Sequence, residues 1–187
     1  MKCEFEVRLL DVNLLGFINK MEENKAEFVG SWLQRRYIYD FNPADENKWI
    51  RLRTNGIKNT LTIKEINHSG IDGVFELETE VGDFETTDMI LSKLGYFKRS
   101  IQENQRIRYM LDGVEIDIDT WPGLNTFVEF EGKNEKSIKM VLKKLQIDYS
   151  LVTTENVFDI YLKNGYSKED MNNLKFKESE NDEIYGT

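Results

Sequence analysis

The stretch WIRLRTNGIKNTLTIKE, residues 49–65, contains two segments of alternating polar and apolar residues joined by the short connection TNGIKN. Because successive side chains of a strand point to opposite faces, Arg51 and Arg53 share one face while Ile50 and Leu52 share the other. The second segment repeats this alternation. The stretch therefore predicts an antiparallel hairpin with one charged face and one apolar face.

The same alternation extends along most of the chain. The alternating segments follow one another with short connections, which is typical of antiparallel sheet. We expect strands at 3–10, 34–40, 49–54, 59–66, 74–82, 105–111, 113–120 and 126–131.

Other segments have apolar residues at helical spacing. Asp11 is the expected N-cap of the first predicted helix, and Gly95 ends the second. Since the helices are inserted between runs of strands, the fold class is α+β, dominated by antiparallel sheet. We expect helices at 11–24, 85–94, 134–146 and 154–163.

Composition restricts the class of protein. The 187 residues suit one domain, expected at 1–176, followed by a polar tail at 177–187 that we expect to be disordered. The net charge of -9 argues against binding to nucleic acid. The single cysteine, Cys3, excludes an internal disulfide, and its strand position predicts a small core residue. With no signal peptide and no membrane-spanning apolar run, we expect a cytoplasmic protein without a membrane partner.

The charged faces of the predicted strands are sorted by sign. A half-exposed strand also alternates, so contact with solvent explains any one of these faces. A surface that serves only solubility tends to intersperse both signs, however, whereas here the basic and acidic strands are separate. The basic faces carry Arg51, Arg53, Lys64, Arg106 and Arg108, and the acidic faces carry Glu4, Glu6, Glu76, Glu78, Glu80, Asp117, Asp119, Glu129 and Glu131.

Separated carboxylates and basic residues suit a metal ion next to a polyphosphate. Mg²⁺ prefers carboxylate oxygens and often bridges to substrate phosphates, while Arg and Lys bind phosphoryl oxygens. A barrel closed around its polar face, with the helices packed on its apolar outside, would surround such a ligand with charges from every wall.

The order of the motifs resembles the CYTH superfamily, the triphosphate tunnel metalloenzymes. EFEVR is similar to the family's ExExK motif, and RLR, TIK, ELETEVGDFE, ILSKLGY, RIRY and DTWPGLNTFVEFEG follow in the family's order. The resemblance covers about residues 3–132 and, more loosely, the helices to about 165. It implies an eight-stranded antiparallel closed barrel, or tunnel, with a charged lumen, Mg²⁺ or Mn²⁺ as cofactor, and a homodimer.

The resemblance also assigns roles to individual residues. Two positions depart from the family pattern: Arg8 replaces the usual Lys, and Asn125 replaces a frequent Gly, in a turn expected to tolerate left-handed geometry. The resemblance implies that Glu4, Glu6, Glu129 and Glu131 are metal ligands and catalytic residues, that Asp119 is a catalytic carboxylate with Asp117 as its alternative, that Glu76, Glu78 and Glu80 are further lumen carboxylates, and that Arg8, Arg51, Arg53, Lys64, Arg106 and Arg108 bind phosphate.

Several functions are considered for this set of charged residues. The first is a divalent-metal-dependent phosphohydrolase acting on inorganic triphosphate, thiamine triphosphate or a nucleoside triphosphate. The alternative is a class IV adenylate cyclase that converts ATP to cyclic AMP and pyrophosphate. A non-catalytic nucleotide or polyphosphate sensor would be expected to lack a metal carboxylate, and none is missing. An ordinary sheet protein with solvated charged faces is the alternative without a site.

Overall fold

A closed antiparallel barrel of eight strands dominates the computed structural model, which describes residues 1–177. The strands are β1 (Lys2–Leu9), β2 (Glu27–Asp45), β3 (Lys48–Thr54), β4 (Asn59–Ile66), β5 (Val74–Val81), β6 (Lys98–Leu111), β7 (Val114–Thr120) and β8 (Phe127–Gly132). Around the barrel they follow the order β6–β2–β3–β4–β5–β1–β8–β7, and pairing of β6 with β7 closes the ring. The predicted α+β barrel is confirmed. The tail predicted at 177–187 lies outside the described residues except for Lys177.

Four α-helices pack on the outside of the barrel, close to the predicted positions. The prediction for the first helix start was wrong: Asn13, and not Asp11, is its N-cap, and Asn13 Oδ1 accepts a hydrogen bond from the Gly16 N–H at 2.8 Å. Asp11 has a φ of 55°, which directs the chain into the helix from a left-handed turn. No helix in residues 1–177 is long and apolar enough to cross a membrane. The helices are α1 (Leu14–Glu23), α2 (Phe84–Lys93), α3 (Glu135–Lys144) and α4 (Val157–Lys163).

The apolar side chains of the strands face outward, under the helices. Val7 and Phe130 pack against Phe17 of α1 and against the buried face of α3. A second cluster joins Leu52 of β3 to Leu91 of α2. Burial of these side chains away from water is the main force that holds the helices on the barrel. The charged residues that alternate with them are therefore left on the inner surface.

The strands β2 and β6 are much longer than the predicted 34–40 and 105–111. They pair with each other from Glu27 opposite Met110 to Tyr39 opposite Lys98. Along this ribbon the backbone hydrogen bonds are satisfied between the strands, although Phe28 and Leu33 remain exposed. The alternation of apolar and polar residues is lost there, so the pattern could not reveal the extensions.

Two short strands and two local predictions complete the description. β9 (Val152–Thr153) pairs with β1, and β10 (Asn173–Leu174) adds a parallel pair to β6. Cys3 was predicted in the core but is only partly buried, because it lies near the end of β1, where its Sγ contacts the Asp72 carbonyl at 3.3 Å. Asn125 does not adopt the predicted left-handed geometry: Gly123 does so, with a φ of 74°.

Candidate active site

The charged side chains of the barrel strands point into its lumen. The residues that alternate with them, such as Val7, Leu52 and Phe130, are buried outside the barrel, so the charged face of each strand is the inner one. Ion pairs between adjacent strands, and between strands separated by one other strand, line this inner surface. The residues that the sequence suggested for a site all lie on it, with Glu80 at the rim: Glu4, Glu6, Arg8, Arg51, Arg53, Lys64, Glu76, Glu78, Glu80, Arg106, Arg108, Asp117, Asp119, Glu129 and Glu131.

Arg106 on β6 is the centre of the tightest ion-pair cluster. Its guanidinium contacts Asp117 at 2.6 Å, Asp119 at 2.5 Å and Glu129 at 2.6 Å. Burial alone would lower the pKa of Arg106, but these carboxylates raise it well above its usual value. Burial raises the pKa of Asp119 to about 6, although Arg106 opposes this. Next to the cluster, Arg108 binds Asp117 through two nitrogens, both at 2.7 Å.

Arg8 on β1 makes three contacts that use the full width of its guanidinium. Its nitrogens donate to Glu129 at 2.8 Å, to Glu6 at 3.0 Å and to the backbone carbonyl of Glu155 at 2.8 Å. Burial opposes ionisation of Glu129, but Arg8 and Arg106 hold the pKa of this carboxyl well below its usual range. A lysine at this position would present a single ammonium group and could not reach all three acceptors with the same geometry. The departure from the family's lysine therefore has a structural consequence.

The opposite wall of the lumen carries basic residues with longer, weaker contacts. Arg51 lies 3.4 Å from Glu76 and 3.3 Å from Glu78, and Arg53 lies 3.5 Å from Glu78. Repulsion from Arg51, together with burial, lowers the pKa of Arg53 to about 10. Lys64 is bound to Glu76 and lies 3.4 Å from Glu4. This wall therefore holds positive charge that its own carboxylates neutralise only partly.

The carboxylates on β1 and β8 lie close to one another, so negative charge is crowded on this wall. Glu6 and Glu131 are direct cross-strand partners, and Glu4 lies beside them. Burial raises the pKa of Glu4 to about 8; Lys64 opposes the shift, and Glu76, Glu6 and Glu131 add to it. Like charges placed together in a buried site are stabilised by a cation.

This donor set fits a divalent cation in its chemistry. In residues 1–177, no three acidic side chains converge tightly enough, as they lie, to enclose a metal ion. Mg²⁺ is usually held by only one or two carboxylates, with water and substrate phosphates completing its shell. Glu4, Glu6 and Glu131 can supply those carboxylates, whereas both oxygens of Glu129 already contact arginines.

The two ends of the barrel differ. At the end near the β3–β4 turn, a cavity of about 220 Å³ reaches the surface between Arg53, Lys58 and Arg108. At the other end, Trp121 and Phe127 continue the inward faces of β7 and β8. They pack against Tyr161 of α4 and against residues of the C-terminal segment. Apolar side chains thus fill one end of the lumen, and the polar cavity lies at the other.

Sequence reasoning did not single out Arg36 on β2, a charged residue of the lumen. This side chain is 7% exposed, and its hydrogen bonds go to the side-chain oxygens of Gln34 and Asn104. The signal was present in the Arg35–Arg36 pair, because adjacent strand residues point to opposite faces and one of two must face inward. Polar and apolar residues do not alternate regularly along the rest of this strand, so the pattern did not indicate which face Arg36 occupies.

The comparison with known families agrees with this geometry. The model of the CYTH domain matches residues 4–158. The chain belongs to the CYTH domain family. Among proteins with curated descriptions, none is significantly similar to this CYTH sequence.

Solved structures share the CYTH fold at low sequence identity. A conserved hypothetical protein from Pyrococcus furiosus is 24% identical, with a TM-score of 0.72 over 83% of this chain and 98% of its own. A "putative adenylate cyclase" from Vibrio parahaemolyticus is 15% identical, with a TM-score of 0.63 over 96% and 97%. A "putative adenylyl cyclase" from Hippeastrum, described as having a dominant triphosphatase activity, is 16% identical, with a TM-score of 0.61 over 91% and 100%.

Proposed function

We propose that this CYTH domain is a divalent-metal-dependent phosphohydrolase that acts on a triphosphate. The observation that carries the proposal is the division of the lumen into a basic wall with loosely held cations and an acidic wall with crowded carboxylates. On the acidic wall Glu6 is paired with Arg8 and Glu131 with Lys2 at 2.9 Å, but Glu4 stays crowded by carboxylates, and the basic wall is only partly neutralised. A metal–triphosphate complex would add the complementary charge on both sides. The triphosphatase activity described for the Hippeastrum protein agrees with this choice.

The residues of this chain divide into two roles. Arg51, Arg53 and Lys64 bind phosphoryl oxygens from the basic wall; Arg106, held by Asp117 and Asp119, and Arg108 do so from β6, next to Arg8 on β1. Glu4, Glu6 and Glu131 hold Mg²⁺ or Mn²⁺, with Glu129 orienting Arg8 and Arg106. The bound metal would neutralise the phosphates and favour ionisation of bound water. Glu131, the most exposed of these carboxylates, orients the attacking water. The rest of the catalysis comes from holding the substrate and this water in the correct relative positions.

Adenylate cyclase activity is the second candidate, favoured by the description of the Vibrio protein. The same cage would hold the triphosphate of ATP, but the ribose 3′-hydroxyl would attack the α-phosphorus and pyrophosphate would leave. Hydrolysis requires only a water molecule as nucleophile, whereas cyclisation also requires the ribose to be positioned. We therefore prefer the phosphohydrolase.

One assay separates these functions. The protein is incubated with Mg²⁺ or Mn²⁺ and, separately, with inorganic triphosphate, thiamine triphosphate and ATP, and the products are resolved by chromatography. Release of orthophosphate supports the proposal, whereas cyclic AMP with pyrophosphate identifies a cyclase. Tight binding without turnover identifies a sensor, and absence of binding contradicts a triphosphate site altogether.

The acidic wall is tested by Glu4→Gln, which keeps the shape of the side chain but removes its charge. We expect turnover to be abolished while the circular dichroism spectrum stays close to that of the wild type and the melting temperature does not fall below it. The matched control is Glu65→Gln, because Glu65 lies on the same sheet, is paired with Lys48 at 2.7 Å, and points away from the lumen. Turnover that survives in Glu4→Gln would contradict its role as a metal ligand.

A further inference from the structure

Arg36 carries a positive charge and is buried in the lumen. In residues 1–177 no carboxylate forms an ion pair with it, although every other lumen arginine has at least one such partner. Its Nη2 donates to the neutral amide oxygens of Gln34, at 2.8 Å, and Asn104. Its Nε is buried and has no hydrogen-bond partner among the described residues.

The surroundings of Arg36 increase the cost of this charge. Burial and the nearby Arg51, Arg106 and Arg53 together hold the pKa of Arg36 well below its usual value, although Asp119 opposes the shift. The guanidinium stacks on the ring of Trp121, with 4.6 Å between its central carbon and the ring centroid. A cation–π contact of this kind offsets only part of the cost of burying an unpaired ion.

Other donors in the same region also lack partners. The Arg51 Nε and the Thr60 hydroxyl are buried without a hydrogen-bond partner among the described residues, and both lie on inward faces of the lumen. Gln34, which holds Arg36, also lines the 220 Å³ cavity, together with Thr60. Arg36 thus lies between this cavity and the apolar end of the barrel at Trp121.

We propose that Arg36 is an anion-binding residue of the inner lumen and contacts a phosphoryl group of the bound triphosphate. The inference rests on the proposed function and adds to it an inner binding position that no motif of the sequence indicated. A phosphoryl oxygen is the acceptor that the free Nε and the uncompensated charge require. Gln34 and Asn104 hold the guanidinium ready for this ligand without neutralising it.

The test compares Arg36→Gln, Arg36→Lys and the neighbouring Arg35→Gln. Arg35 lies on the outer face of the same strand and pairs with Glu85 at 2.6 Å, so it is a matched control. Binding of inorganic tripolyphosphate is measured by calorimetry without metal, and thermal unfolding is measured without ligand. We expect Arg36→Gln to weaken binding roughly 10- to 100-fold, the effect of losing a charge-assisted hydrogen bond. Arg36→Lys should bind more tightly than Arg36→Gln, and Arg35→Gln should bind like the wild type.

Unfolding without ligand separates binding from structure. Because Arg36→Gln removes an unpaired buried charge and keeps an amide donor, its melting temperature should equal or exceed that of the wild type. A lower melting temperature would show that Arg36 serves the fold and would overturn the inference. Equal affinity of Arg36→Gln and wild type would overturn it as well, while the proposed function would stand. A wild type that binds tripolyphosphate neither without metal nor with Mg²⁺ would overturn both.

Discussion

At the scale of single residues, Arg8 shows how one side chain can connect several parts of a charged interior. Its guanidinium connects Glu6, Glu129 and the backbone of residue 155, so strands β1 and β8 and the segment before α4 meet at one side chain. A buried charge with several partners is costly to disturb, because any group left behind loses its solvation without compensation.

Arg8→Lys preserves the charge but not the three contacts. We expect the free energy of unfolding to fall by about 1–3 kcal/mol, because at least one buried acceptor loses its donor. Urea denaturation measures this change. The control is Arg35→Lys on the outer surface, which should change stability by less than about 1 kcal/mol, as for other exposed ion pairs. Equal effects of the two changes would show that the Arg8 contacts are not specific.

The raised pKa of Glu4 predicts a pH dependence of stability. The usual carboxyl pKa of 4.5 applies to the unfolded chain, and burial among carboxylates raises the value to about 8 in the fold, although Lys64 opposes the shift. Between these values the folded protein holds a proton that the unfolded chain has lost, so stability falls as the pH rises from about 4.5 to 8. Denaturation of the metal-free protein between these pH values should show a smaller decline for Glu4→Gln than for Glu65→Gln. Identical profiles would contradict the crowded acidic wall.

At the scale of elements, α2 is attached to the barrel by a polar contact as well as by apolar packing. The Tyr39 hydroxyl donates to the buried Asp88 of α2 at 2.8 Å, and the Lys98 ammonium donates to the same carboxylate at 2.5 Å. These contacts join α2 to β2 and β6, the long ribbon that the sequence pattern revealed only in part.

Tyr39→Phe removes one donor from this carboxylate and leaves the ring in place. We expect a loss of about 1–3 kcal/mol in the free energy of unfolding, measured by urea denaturation. Tyr109→Phe is the comparison, because Tyr109 is 6% exposed and its hydroxyl has no hydrogen bond to another described residue. A loss of the same size in both variants would assign the effect to packing and not to the Asp88 contact.

Elements with regular alternation were predictable from sequence, and irregular ones were not. β3 and β4 were predicted correctly because every second residue faces one side. The extensions of β2 and β6 depend on pairing between distant segments, which local patterns do not contain. The side chains facing the lumen could be predicted from the same alternation, but their pairing could not. That Glu129 would contact arginines with both oxygens depends on the register between β1, β6 and β8.

At the scale of the whole molecule, the barrel has its apolar surface outside, under helices, and a charged interior. Such an interior contributes little to stability without a ligand, because its charges are desolvated and only partly paired.

Binding of a complementary polyanion with its metal should therefore stabilise the entire barrel. Tripolyphosphate with Mg²⁺ at about 100 times its dissociation constant should add about 2.7 kcal/mol to the free energy of unfolding. Orthophosphate at the same concentration is the control; an equal rise in melting temperature with both anions would contradict a site built for a phosphate chain.

The apolar filling of one barrel end also determines how molecules move through the site. In the described residues, Trp121, Phe127 and Tyr161 pack across that end, and the cavity that reaches the surface lies at the β3–β4 turn, so we expect ligands to enter and leave there. A lumen that is open at only one end cannot release product at one end while the next substrate enters at the other. In the proposed hydrolysis of inorganic triphosphate, orthophosphate and pyrophosphate would have to leave through this entrance before a new turnover begins, and each would compete for the same arginines.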